Sequence, residues 1–161
     1  MILTVLNKLK IIETHSIGWW NEKNSLSFLR VSLGLIFIWF GVLKFFPGLS
    51  SAEAIAGKTV LKLTFGYIVP SVSMPLLALL ECMIGMGLLL KKFVPLILIF
   101  LYIQLLGTMS PLILFPELTF SDSIFVPTLL GQYIIKNIVL LSAAIVIGAT
   151  SKGRVTLTDN K

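Results

Sequence analysis

Apolar residues run in four long blocks along this chain, each closed by a helix breaker or by polar residues. The first block covers 26–46 and ends at Pro47-Gly48. The second covers 67–90 and ends at Lys91-Lys92. The third covers 93–115 and ends at Pro116, and the fourth covers 127–149 and gives way to a polar tail over 151–161. A bilayer core about 30 Å thick is crossed by ~20 mostly apolar residues in a helix, so each block predicts a transmembrane helix. Open sheet edges cannot face lipid, and the alternating pattern of barrel strands is absent. The pattern therefore predicts an all-α polytopic membrane protein, a four-helix bundle over 26–150.

The segments between the blocks refine this. Ile2, Val5, Leu6, Leu9 and Ile12 recur at helical spacing, with Asn7, Lys8, Lys10 and Glu13 on other faces and Trp19-Trp20 following. Residues 1–25 are therefore expected to hold an amphipathic helix lying in the cytoplasmic interface. They are not expected to be a signal peptide, because the apolar run is short and no small-residue cleavage site follows it. After the first block, Ser50 and Glu53 have capping-box spacing. They predict a short external helix over about 51–63, with Ala52, Ile55 and Ala56 turned to the membrane. Lys91-Lys92 leaves so little chain between the second and third blocks that those helices must be antiparallel neighbours.

Charge adds an orientation. Lys8, Lys10, Lys23, Lys91, Lys92, Lys152, Arg154 and Lys161 fall on one side of the predicted bundle, and only Lys58 and Lys62 on the other. Basic residues favour the cytoplasmic side, so both termini are expected in the cytoplasm, across what is expected to be a bacterial inner membrane. The formal net charge of +6 then needs no nucleic-acid partner; anionic inner-leaflet lipid suffices. Composition agrees: 57% of residues are apolar and 12% charged, against about 45–50% and ~25% in soluble domains.

Four charged residues stand inside the blocks: Arg30, Lys44, Glu81 and Lys136. Each charge near mid-bilayer costs about 2.5–3.5 kcal/mol on insertion scales, so such residues turn inward and pair. At ~1.5 Å per residue, Arg30, Glu81 and Lys136 lie roughly 24, 20 and 14 Å from the outer end, close enough for an Arg30–Glu81–Lys136 cluster. Lys44 is near a span end and is expected to snorkel outward to the headgroups. Arg30 has the same option at the opposite end. A Glu81–Lys136 pair has two readings, a fixed helix register or a ligand or proton site. With Lys44 outside, one positive charge is left over near Glu81. It implies either an anionic or carbonyl-rich occupant or a neutral Lys136.

Small and polar residues share the same faces. Gly34 and Gly41 lie on the Arg30 stripe, and Gly85 lies on the Glu81 stripe, where glycine allows close helix packing. Gln104, Gly107, Thr108 and Pro111 line one side of the third span. Gln132, Tyr133, Lys136 and Asn137 make the fourth span polar near its middle. The candidate ligand-binding set is Arg30, Glu81, Lys136, Gln104 and Tyr133. No intrinsic cofactor is expected. His15 lies outside the blocks, Cys82 is the lone cysteine, and no phosphate loop, metal cluster or nucleophile elbow is present.

Phe28-Leu29-Arg30 with Gly34, Phe37, Gly41 and Lys44-Phe45 resembles the first helix of the DoxX-like family of small four-helix membrane proteins. Pro75 through Leu80-Glu81 and Gly85 to Leu89 resembles its second helix. Thr108-Met109-Ser110-Pro111 resembles a third-helix motif of one branch. Lys136-Asn137 through Leu141, with Ala143-Ala144, resembles its fourth. The likeness covers about residues 26–150. Many relatives have aspartate where this chain has Asn137, which removes a carboxylate partner for Lys136. The resemblance implies a four-span fold and an accessory or assembly role, working through a membrane-protein partner or a homo-oligomer. Some members are linked to quinone-coupled sulfur oxidation or membrane oxidoreductase complexes. That makes a quinone- or lipid-binding subunit the alternative; a small transporter with Glu81 as its protonatable group is the second alternative.

Overall fold

The structure, a computed structural model, describes residues 22–121 and 123–151. The amphipathic helix expected near the N-terminus, with His15 and the Trp19-Trp20 pair, lies outside the described residues, as does the tail from Lys152. Among the described residues the chain forms helices α1 (Glu22–Leu43), α2 (Glu53–Leu63), α3 (Pro70–Leu90) and α4 (Val94–Met109). These are followed by α5 (Pro111–Leu114), α6 (Pro116–Thr119), α7 (Leu129–Ile135) and α8 (Asn137–Ser151). An isolated antiparallel bridge joins Phe120 to Pro127.

Among the described residues, four stretches are long and apolar enough to cross a membrane: Asn24–Leu43, Pro70–Leu90, Val94–Leu114 and Leu129–Thr150. The chain is an all-α integral membrane protein whose lipid-facing surface carries Phe28, Trp39, Leu79, Ile103, Val139 and Ile145, all exposed. Its helices are apolar on every side because lipid, unlike water, does not force them to be amphipathic.

The breaks in the helices have local causes. α1 stops at Leu43, ahead of Pro47-Gly48, where Lys44, Phe45 and Phe46 each reach back three residues in a tightened turn. Lys44 therefore sits just past the helix end rather than within it. Lys91 and Phe93 both adopt left-handed backbone (φ 56° and 50°), which reverses the chain within three residues between α3 and α4. Pro95 fits the first turn of α4, where a missing N–H leaves no bond unmade. Pro111 and Pro116 each begin a new short helix, because proline cannot donate to the preceding turn.

In the second connection Ala52, not Ser50, occupies the position before α2, and no side chain caps that helix. The predicted capping box does not form. Glu53 instead accepts from the Gly48 backbone N–H at 2.6 Å, in a turn where Gly48 has φ 81°. Ala52, Ile55 and Ala56 face the interior of the bundle.

α1 packs chiefly on α3, α4 on α8, and α3 against α4, while α8 returns to α1. The order around the bundle is thus α1, α3, α4, α8. At the end bearing the Lys91-Lys92 turn the helices converge on a dense core of Leu33, Ile84, Leu88, Leu98, Leu101 and Ala144. α1 and α3 touch through glycine. A Cβ at Gly34 would meet the Gly85 carbonyl oxygen at 3.0 Å, and one at Gly85 would meet the Gly34 carbonyl oxygen at 2.6 Å. At the opposite end the fourth span continues as α7, which rests on α4, α5 and α6 instead of α1. The bundle is hollow there.

Candidate functional site

The hollow end encloses a cavity of about 490 Å³. α1 contributes Ile36, Phe37 and Phe40, with Lys44 just beyond it. α3 contributes Leu77 and Glu81, and α4 contributes Gln104, Leu105, Gly107 and Thr108. The fourth span supplies Tyr133, Ile134, Lys136, Asn137 and Val139. α2 lies across the end as a lid, presenting Ile55, Ala56, Thr59 and Leu63. Ile36, Phe40, Tyr133 and Val139 are exposed as well as cavity-lining. The cavity therefore opens sideways between α1 and the fourth span. The walls are mostly apolar with a few convergent polar groups, the usual make-up of a small-molecule site.

The polar floor is built around Glu81, which is 4% exposed. Its Oε2 is 2.6 Å from Lys44 Nζ, and its Oε1 accepts from Gln104 Nε2 at 2.7 Å. Lys44 also donates to the Phe40 carbonyl oxygen at 3.4 Å. Both carboxylate oxygens are satisfied, as a buried charge requires. Gly41 makes the approach feasible, since a Cβ there would meet the Glu81 Cβ at 3.0 Å and Cys82 Sγ at 2.9 Å. Lys44 thus turns inward, contrary to the outward snorkelling expected of it. Proximity to its nearer headgroup layer is outweighed by an unpaired carboxylate at the same depth.

The expected Arg30–Glu81–Lys136 cluster does not form. The Arg30 guanidinium donates to the carbonyl oxygens of Leu88 and Leu89, the latter at 3.1 Å, at the C-terminal end of α3. That end of the helix has free carbonyls and a partial negative charge, so a cation near it needs no carboxylate. Arg30 is not among the residues lining the cavity.

Lys136 does line the cavity, at the joint between α7 and α8. The helical ladder tightens there, with the Val139 N–H bonding the Lys136 carbonyl three residues back. Lys136 is an exposed residue whose side chain, among the described residues, makes no hydrogen bond or ion pair. Tyr133 stands beside it on the cavity wall at helical spacing. Asn137 donates to Thr108 Oγ1 at 3.2 Å, tying the joint to α4. Gln132 turns away and donates to the Pro127 carbonyl oxygen.

Of the sequence-derived candidates, Glu81, Gln104, Lys136 and Tyr133 meet around one cavity and Arg30 stands apart. Lys44 and the lid residues of α2 complete the site. Lys44 was readable as a charge of opposite sign to Glu81, but its side-chain direction was not. Taken together, these features define a small four-span membrane protein with a polar-floored cavity that opens between two of its candidate spans. No protein-family model, curated protein or solved structure matches the chain.

Proposed function

We propose that this protein binds an amphiphile, a quinone or a lipid, within the bilayer, with its polar head in the cavity and its apolar part between α1 and the fourth span. The observation that carries this reading is the cavity itself. It opens sideways between α1 and the fourth span, is walled by apolar side chains, and ends on the Lys44–Glu81–Gln104 network with Lys136 and Tyr133 beside it. If the occupant is a quinone, the redox centre belongs to a partner, so the protein would be a membrane subunit of an oxidoreductase complex. The resemblance to DoxX-like proteins supports a partnered role of this kind. The distribution of basic residues supports an orientation with both termini in the cytoplasm.

Purification of the full chain in mild detergent, followed by mass spectrometry of co-purifying small molecules and proteins, tests the reading. A quinone or lipid retained near one per chain is the expected result. It should be lost in Gly107→Leu, a substitution that enters a cavity wall with no atom within 4 Å of the new Cβ. An empty cavity together with a constant protein partner, in both wild type and variant, would replace it with the accessory or assembly role.

A further inference from the structure

Building on the cavity reading, we infer that the bound amphiphile carries a single negative charge, that of a long-chain carboxylate, and that Lys136 is its counter-ion. The charges around the cavity set the sign. Glu81 and Lys44 neutralise one another at 2.6 Å, and Gln104 occupies the second carboxylate oxygen. Neither partner is left to hold a ligand charge. Lys136 remains, lining the cavity from the fourth span, exposed and without a partner among the described residues. A cation at this depth is unfavourable unless something compensates it.

The geometry narrows the ligand further. Tyr133 lines the cavity three residues before Lys136, so a phenol and an ammonium are presented together on one helix face. One cation and one neutral donor match the two oxygens of a carboxylate. A dianionic phosphate would want a second free cation, and Lys44 is already engaged. A neutral quinone would leave the Lys136 charge uncompensated. The volume of about 490 Å³ suits one polar head with the start of one chain, while Ile36, Phe40 and Val139 offer the apolar exit for the remainder.

The test uses the full chain in nanodiscs of neutral phosphatidylcholine, with a diazirine-bearing palmitate as photoprobe and mass spectrometry to map the adducts. Adducts are expected on cavity residues of α1 and the fourth span. Oleate should displace the probe about tenfold better than methyl oleate, because a hydrogen bond to a charged group exceeds a neutral one by about that factor. Lys136→Met should erase this preference and Lys136→Arg should keep it. Equal displacement by oleate and its methyl ester in the wild type would overturn the charge assignment and leave the cavity reading intact. That comparison needs no variant to fold. A preference that persists in Lys136→Met would remove Lys136 as the counter-ion. Displacement by phosphatidylglycerol as effective as by oleate would overturn the single-chain assignment. Absence of adducts from cavity residues would overturn the cavity reading and this inference together.

Discussion

Lys44 Nζ and Glu81 Oε2 lie 2.6 Å apart, with side chains only 10% and 6% exposed, and so close α1 onto α3 at the floor of the cavity. The pair sits among the largely apolar walls of the cavity. Removing one partner of such a pair leaves the other as an uncompensated buried charge, at a cost of about 3–5 kcal/mol, whereas replacing both with apolar groups is often neutral. Lys44→Met and Glu81→Leu should therefore each lower the thermal midpoint in detergent strongly. The double variant should recover most of the loss. Simply additive losses across that cycle would show that the two residues do not couple.

Within the spans, Gly34, Gly41 and Gly85 set helix spacing, whereas Gly107 lines open space. A Cβ at Gly85 would fall 2.6 Å from both the Gly34 carbonyl oxygen and the Ile38 side chain, whereas one at Gly107 meets nothing within 4 Å. Gly85→Ala should push α1 and α3 apart and destabilise the bundle by about 1–3 kcal/mol, in the range of overpacking substitutions. Gly107→Ala should leave the melting temperature unchanged or slightly raised, since alanine is the better helix former. Equal midpoints for the two variants would contradict the glycine contact between α1 and α3.

Much of this architecture was legible in the sequence because lipid imposes length and hydropathy on each span. The four blocks predicted four spans, and Lys91-Lys92 predicted the tight α3–α4 reversal. Side-chain direction was not legible in the same way. Counting residues from the block ends puts Arg30 and Glu81 at similar depths, but α1 packs on α3 with Gly41 level with Glu81, so Arg30 lies further along, beside Leu88 and Leu89. Arg30 found the carbonyl oxygens of Leu88 and Leu89, a backbone target that no pattern of residue types displays. Lys44 found Glu81 because α1 ends at Leu43, a boundary that depends on the turn before Pro47. The cavity arises from the splaying of α7 away from α1, a tertiary feature with no local signature beyond the polar residues around Lys136.

The Arg30 contact makes a prediction separate from the cavity. Arg30→Met removes the donor to two carbonyl oxygens at the end of α3, and hydrogen bonds to charged groups contribute about 1.5–3 kcal/mol. The melting temperature should fall, and amide exchange at 88–92 should rise. Binding of the photoprobe should persist wherever the variant is folded. Loss of probe binding with an unchanged melting temperature would instead return Arg30 to the ligand site.

The last prediction concerns the lid. α2 is fastened over the cavity by Lys62, whose Nζ donates to the Leu114 carbonyl oxygen at 2.8 Å and lies 4.6 Å from the centre of the Phe115 ring. Just past Lys62 the chain turns through Phe65 and Gly66, both with positive φ (52° and 89°). Gly57 fits tightly against Pro70, at 3.0 Å for an added Cβ. Lys62→Met removes the hydrogen bond and the ring contact but leaves Gly57 and Ile55 in place. An exposed cation–ring contact contributes about 0.5–1 kcal/mol, so the lid should loosen without unfolding the bundle. Hydrogen exchange across 53–63 should accelerate several-fold while the core around Leu88 and Leu101 keeps its protection. Lys58→Met, an exposed position on the same helix, serves as the control and should change neither. Uniform acceleration across all four spans in Lys62→Met would show that α2 is part of the cooperative bundle and does not open independently.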